Sequence, residues 1–436
     1  MTLDYDGWII LIGVLVAVAC AIPGTWLVVR GMGMMGDAIS HAVLPGIALG
    51  FLISGSRDGG WMFAGAAVAG VVAAVLTQVV HRWGRVERGA AMGLVFTSFF
   101  SLGLLLIVQT ADTVDLDPNC VLYGAIELAP LDVVDLWGMA VPRIVIPLVI
   151  VGAINAVMVV VLYKELLISS FDPGLSASQG FNPKWIHYGV MVLTAATCVA
   201  CFEAVGSIIT VALLVAPPAT ALLLTRRMIG VMTLAVVIGS AAAVLGHISA
   251  ITVPGWFLGS GVDTSSAGMM AVLTGLLFLA GAIFAPRRGI ISCRWAARMD
   301  AKRVAVEDAL GLLFRLEERG VRADIHSVEG LLRSDVRVGP SRMSVVLARL
   351  RRNALAESTE GEWKLTEKGR SEAGGLVRAH RLWETYLAGR SSIPSSHLHE
   401  AAERLEHVTD PKMAEALGKE VEHAERDPHG RPIPPA

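Results

Sequence analysis

Arg30-Gly-Met-Gly-Met-Met-Gly36-Asp37-Ala-Ile-Ser40-His41-Ala-Val-Leu-Pro45-Gly46 is the stretch that decides how this chain is read. It places a carboxylate and an imidazole four residues apart, on one face of a helix, at the start of an apolar run that continues to about residue 54. An Asp within a membrane-spanning segment costs ~2.5–3.5 kcal/mol on insertion scales, so it usually faces a cavity and has a function. A carboxylate oxygen with a neutral imidazole nitrogen suits Mn²⁺, Fe²⁺ or Zn²⁺. The same spacing also fits an Asp that caps a helix and a His bonded internally. Gly31, Gly33, Gly36, Pro45 and Gly46 suit close helix packing or an interrupted helix. Met32, Met34 and Met35 read as packing residues.

Outward from this stretch the chain is apolar. Of 436 residues, 54% are hydrophobic and 17% charged, against roughly 25% charged in soluble domains, and the mean hydropathy is +0.61. Spans of the ~20 apolar residues that cross a bilayer are expected near 8–29, 34–54, 61–80, 90–109, 141–162, 186–202, 205–225, 228–249 and 268–285. The first follows Asp4 and Asp6, without the basic start of a signal peptide, and is read as a retained helix. Arg30, Arg82, Arg85, Arg88, Lys164, Lys184, Arg226, Arg227, Arg287 and Arg288 fall on one side if the N-terminus is outside. The positive-inside rule then gives nine spans with the C-terminus cytoplasmic. Arg57 and Arg143 are left on the other side, with Asp112, Asp115, Asp117, Glu127, Asp132 and Asp135. These acids form either a cation-concentrating vestibule or a solvated loop. Cys198 and Cys201, inside an apolar run, read as small buried residues. The net charge of −2 gives no bulk attraction to nucleic acid.

Charge density rises from Arg287 onward. The expected division is a membrane domain 1–286, a linker 287–300, a winged-helix domain 301–370 and a helical metal-binding or dimerisation domain 371–436. Within the tail, Val304–Arg319, Ile325–Arg333 and Pro340–Arg352 read as helices and Glu357–Leu365, with Gly361, as a hairpin. Glu403, Glu406 and His407 fall at i, i+3 and i+4, and His380 and Glu384 are four apart. Carboxylates and imidazoles converging this way can hold a divalent first-row ion.

The Gly-Asp-x-x-Ser-His-x-x-x-Pro-Gly core of the opening stretch resembles the signature of ABC-3-type permeases, the membrane subunits of manganese, zinc and iron importers. Met92–Phe100, Val114–Gly124, Ser170–Gly180 and Val205–Ala221 resemble further blocks of that family in the same order. The resemblance implies that Asp37 and His41, with Glu203 as a weaker candidate, line the metal path. It implies that the loop holding Phe171, Asp172, Pro173 and Gly180 docks on an ATPase. It also implies partners: cytoplasmic ABC ATPase subunits, an extracytoplasmic metal-binding protein, and a second permease subunit, identical or similar. No Gly-x-x-x-x-Gly-Lys-Ser/Thr loop is present, so ATP hydrolysis belongs to another chain and this one is no enzyme.

The tail resembles metal-dependent repressors of the DtxR and MntR kind. That resemblance implies His380, Glu403, Glu406 and His407 as metal ligands, Glu384 and His399 at a neighbouring metal, and Glu307 as a first-helix acidic ligand. The second acidic position of that helix reads as Leu310. A carboxylate at Glu403 leans towards Mn²⁺ as the bound ion. DNA is a further partner that the resemblance implies, against which stands the tether to a membrane; the alternatives for the basic helix are that it is retained as part of the fold, or that it contacts anionic lipid or the ATPase.

The expectation is therefore an all-α polytopic protein of about nine transmembrane helices, multi-pass in the cell membrane, with a cytoplasmic winged-helix and metal-sensing domain. Its expected work is import of a divalent metal, Mn²⁺ first, with Zn²⁺ and Fe²⁺ as alternatives. The rival readings are a membrane-tethered metal-responsive regulator and an ion-coupled secondary transporter.

Overall fold

A computed structural model describes residues 5–54, 59–110, 126–136, 139–258, 264–321, 340–359, 361–390, 395–422 and 424–435. Arg57, the acids Asp112, Asp115 and Asp117, the block Val114–Gly124 and the expected helix Ile325–Arg333 lie outside the described residues. The chain forms two compact units, Met1–Ser292 and Cys293–Ala436.

The first unit is a helical bundle: α1 (Tyr5–Val29), α2 (Met35–Ala42), α3 (Leu44–Ser54), α4 (Gly59–Trp83), α5 (Arg88–Thr110), α6 (Val145–Phe171), the short α7 (Pro173–Ser178), α8 (Pro183–Leu224), α9 (Met228–Leu258) and α10 (Ser266–Phe284). Between α5 and α6 an antiparallel hairpin pairs β1 (Val133–Leu136) with β2 (Met139–Pro142). The all-α expectation missed this hairpin; it is too short to give a clear alternating pattern. Eight helices among the described residues are long and apolar enough to cross a membrane, counting α2 and α3 as one.

Nine crossings were expected, and the difference lies in α8. Its 42 residues would be about 63 Å long if straight, twice a ~30 Å hydrocarbon core. It is not straight, because Gly206 sits at φ 79°, ψ 174° inside it, a conformation essentially restricted to glycine. Both ends of α8 lie at the Arg30 end of α1. At its start, Lys184 lines a cavity of about 280 Å³ together with Arg30 and Arg82. At its finish, three residues lead into α9, which runs antiparallel to α1: Gly13 opposes Ala243, Gly239 opposes Ala17, and Ala21 packs with Val231 and Ala235. The α8 element therefore goes out and back, turning at Gly206, and supplies both the sixth and the seventh expected segments.

Helices meet through small residues, as they do where apolar burial gives no preference for protein over lipid. A Cβ built on Gly46 would stand 2.2 Å from the Gly65 carbonyl oxygen, and one on Gly65 would stand 2.2 Å from the Gly46 oxygen. Cys20, Cys198 and Cys201 are fully buried in the core, with Cys20 and Cys201 sulfurs 3.6 Å apart.

The second unit holds most of α11 (Ile290–Glu318), then α12 (Pro340–Arg352), a hairpin of β3 (Ala356–Thr359) and β4 (Glu362–Leu365), α13 (Glu367–Arg390), α14 (Ser395–Glu406) and α15 (Pro411–Glu420). The stretch expected as a linker, 287–300, is helical from Ile290, so the helix expected from Val304 starts earlier. Gly361 turns the hairpin at φ 81°. Leu310, Leu313, Leu347, Leu350, Leu355, Trp363 and Leu365 form the core of this unit. Each such side chain contributes ~1.5–3 kcal/mol on burial.

Candidate metal centres

In the membrane unit the site starts from how α1 ends. Met32 N–H donates to the Leu27 carbonyl and Gly31 N–H to that of Val28, a glycine-terminated cap with Gly31 at φ 69°. The chain then re-enters helix at Met35, which puts Asp37 in the first turn of α2 and His41 in the last. Pro45 has no N–H to give to the His41 carbonyl, and the helix breaks at Val43 before α3 begins. His41 Nε2 lies 3.7 Å from Asp37 Oδ1, with His41 26% and Asp37 47% exposed. The imidazole packs against Phe96 and Phe100 of α5, at ring-centroid distances of 5.2 and 5.4 Å. The structure thus brings Asp37 and His41 together at a helix break. Glu203 stands elsewhere on α8, three residues before Gly206, where the charges of Arg143 and Asp132 act on it.

The loop after α6 is compact. Asp172 accepts from the Leu175 N–H at 2.9 Å and caps α7, whose first residue is Pro173. Gly180, at φ 87°, closes α7 as Phe181 N–H donates to the Ser176 carbonyl. Phe171, Leu175 and Phe181 remain exposed around it.

Among the described residues of the second unit, three side-chain groups come within metal-holding distance: Asp308 with Glu406 and His407, His380 with Glu384 and His399, and Glu384 with Asp427 and His429. They are joined. Glu406 Oε2 is 2.5 Å from His380 Nδ1, and its Oε1 is 3.7 Å from His407 Nε2. Glu384 Oε1 meets His380 and His399 at 3.2 and 3.0 Å, while Oε2 is 3.6 Å from His429. His380, Glu384, Glu406 and Asp427 are all buried. Asp308 comes from α11, His380 and Glu384 from α13, His399 and Glu406 from α14 with His407 in the turn after it, and Asp427 and His429 from the segment after α15.

Charge balance follows from the geometry. Burial opposes the charged form of His407, yet hydrogen bonds to Asp308 and Glu307 outweigh it and hold its pKa at about 9. Burial also opposes a charge on Glu384, but bonds to His380 and His399 hold its carboxyl well below the ordinary range. His380 is raised by Glu384 and Glu406 against the effect of burial. In this arrangement the carboxylates of Asp308 and Glu307 favour the charged form of His407, the place among these acids where a divalent cation would balance the same charge. The donors are all imidazole nitrogen and carboxylate oxygen, which fits a divalent first-row ion.

Of the expected residues, His380, Glu384, His399, Glu406 and His407 converge, and Glu307 touches His407 Nδ1 at 2.7 Å. Glu403 is in none of the three groups. Leu310 is core. Sequence reading missed Asp308, Asp427 and His429. Asp308 was hidden beside Glu307, and Asp427 with His429, two residues apart, carried no helical spacing to mark them.

Comparison with known proteins agrees with both halves. Residues 4–285 match the ABC 3 transport family. Residues 366–435 match the iron dependent repressor, metal binding and dimerisation domain. The manganese transport system membrane protein MntD of Bacillus subtilis is 40% identical over 291 residues, 66% of this chain and 95% of that protein. The zinc transport system membrane protein TroD of Treponema pallidum is 36% identical over 283 residues, 65% of this chain and 75% of that protein. Among solved structures, PsaBC from Streptococcus pneumoniae in complex with Fab superposes with a TM-score of 0.54 at 27% identity, covering 67% of this chain and 95% of that one. The chain is a multi-pass membrane protein of the ABC 3 transport family, extended by a segment of the iron-dependent-repressor metal-binding type.

Proposed function

We propose that this chain is the membrane-spanning subunit of an ABC importer for a divalent metal ion, Mn²⁺ before Zn²⁺ or Fe²⁺, and that its tail senses the same metal inside the cell. The observation that carries the reading is the Asp37–His41 pair, 3.7 Å apart and partly exposed, at a proline-broken helix. A proline-interrupted helix in a membrane needs its freed backbone groups satisfied by neighbouring helices or by a water-lined space, and two protein donors hold an ion weakly enough to release it. Manganese is favoured by the 40% identical relative that is named for manganese transport, while a 36% identical one is named for zinc.

The N-terminus faces outside and the arginine-rich end, with α7, faces the cytoplasm. There, Phe171, Asp172, Pro173 and Gly180 shape a short, capped helix with exposed apolar neighbours, suited to docking on an ATPase chain. The remaining partners are an extracytoplasmic metal-binding protein and a second permease subunit. In the tail, Asp308, Glu406 and His407 would hold one ion, with Glu307 against His407, and His380, Glu384 and His399 a neighbouring one. Filling them signals sufficient internal metal and brakes import. The test is uptake of Mn²⁺, Zn²⁺ and Fe²⁺ by the complex reconstituted with its ATPase. Asp37→Ala and His41→Ala should each abolish uptake, and uptake retained in both would end the reading. His407→Ala should raise uptake only at high internal metal.

A further inference from the structure

We propose that Asp6 and His247 form a second, outer holding point for the transported cation, an inference that rests on the import reading above. His247 lies on α9, 3% exposed, in contact with the start of α10. Its Nδ1 is 2.9 Å from the Ser266 hydroxyl. Its Nε2 is buried and has no hydrogen-bond partner among the described residues. That nitrogen points towards Asp6 at the start of α1, with 3.5 Å between Nε2 and Oδ1. Buried polar atoms in folded proteins are nearly always satisfied, and an exception calls for a missing ion, water or function.

The separation fits an ion better than a hydrogen bond. Two ligands each ~2.1 Å from a metal at a near-tetrahedral angle stand about 3.4 Å apart, whereas N–H···O pairs cluster near ~2.9 Å. The surroundings also match a ligating histidine, whose second ring nitrogen is normally fixed by a hydrogen bond. Ser266 does this, and Ser266 is itself held, because its backbone N–H donates to Glu127 Oε1 at 2.6 Å. The Tyr5 hydroxyl donates to the Glu127 carbonyl. The donor pair repeats that of Asp37 and His41. Its exposure is one-sided: Asp6 is 64% exposed while His247 is buried. An ion there keeps open positions for water or for a ligand on a delivering protein. The pair lies at the end of the bundle opposite Arg30, the outer end in the import reading, so a cation would meet it first.

The experiment uses the full chain with its ATPase in right-side-out vesicles, carrying Asp6→Cys with Cys120→Ser and Cys293→Ser. Micromolar Cd²⁺ should slow modification of the new thiol by a membrane-impermeant maleimide at least tenfold, and adding His247→Gln should remove that protection. Absence of protection, or protection that survives His247→Gln, overturns the proposal and leaves Asp6 and His247 as an interhelix latch. In uptake assays Asp6→Asn and His247→Gln should each raise the KM for Mn²⁺ several-fold; an unchanged KM in both also overturns it. Failure of the unmodified complex to import any metal would end the import reading instead, while the thiol protection would still report an Asp6–His247 metal site.

Discussion

His407, in the turn that ends α14, and Asp308 of α11 meet at 2.9 Å, Nε2 to Oδ1, from segments far apart in sequence. The contact makes Asp308, one position beyond Glu307, the first-helix acid closest to the imidazole face that Glu406 also approaches. Asp308→Asn should therefore weaken Mn²⁺ binding by the tail by at least the roughly ten- to hundredfold that loss of a group merely supporting a ligand costs. Mn²⁺ titration followed by electron paramagnetic resonance on the full chain in nanodiscs checks it. Leu310→Ala is the contrast: Leu310 is buried among Leu313 and Val306, so it should lose ~2–5 kcal/mol of stability with little effect on affinity.

Glu384 serves two groups with its two oxygens, Oε1 towards His380 and His399 and Oε2 towards His429. A one-atom change should thus disturb both. Glu384→Gln is expected to lower the number of Mn²⁺ ions bound at saturation, whereas His429→Ala should leave the His380–His399 site able to bind. Equal stoichiometry in the two variants would show that the three groups do not share ligands in this way.

The segment bearing Asp427 and His429 is held down by Arg381, a buried guanidinium bonded to Glu318 at 2.5 and 2.9 Å and to the Pro432 carbonyl. Hydrogen bonding to Arg381 lowers the Glu318 carboxyl below its usual value. A depressed acid stabilises the folded form above its unfolded pKa, and that contribution disappears as pH falls through the depressed value. The hydrogen-exchange protection of residues 426–435, corrected for the intrinsic pH dependence of amide exchange, should accordingly fall as pH drops below the ordinary carboxylate range. Glu318→Gln should remove that acid limb and raise exchange at neutral pH. Arg381→Met, which strands Asp427 and Glu318, should cost roughly 3–5 kcal/mol.

The membrane fold was legible because apolar run length and loop charge are strong signals that need no tertiary context. Asp37 and His41 were legible for the same reason, as charge-bearing residues at helical spacing within an apolar segment. His247 was not, because its partner Asp6 lies more than two hundred residues away and no local spacing records that approach. Asp308 was lost to a one-residue ambiguity: on a helix one step turns the side chain by about 100°, and only the position of His407 shows which of the neighbouring acids faces which ring nitrogen. The β1–β2 hairpin was missed because four-residue strands give too few positions for alternation to be distinguished from a polar loop.

Gly206 offers the sharpest test of the bundle itself. Apolar pattern alone places two segments, 186–202 and 205–225, with nothing between them to make a loop. The structure resolves this by turning within a single residue at φ 79°, ψ 174°. A Cβ at that φ/ψ meets its own backbone, so Gly206→Ala should cost about 1–3 kcal/mol of strain without any loss of apolar contact. Its neighbours Val205 and Ser207 are buried, so the strain has little room to relax, and the two arms of α8 would have to splay. Since the outgoing arm carries Glu203 and the returning arm packs Leu214 against Gly24 and Gly36, splaying would reach the helix that holds Asp37. The expected outcome is a lower unfolding temperature in nanodiscs together with reduced uptake. Ala195→Gly, within the same helix but away from the turn, removes one buried methyl group and ~1 kcal/mol of helix propensity without straining the backbone, and should leave uptake near normal. An equal loss of uptake in the two variants would mean that α8 does not turn at Gly206.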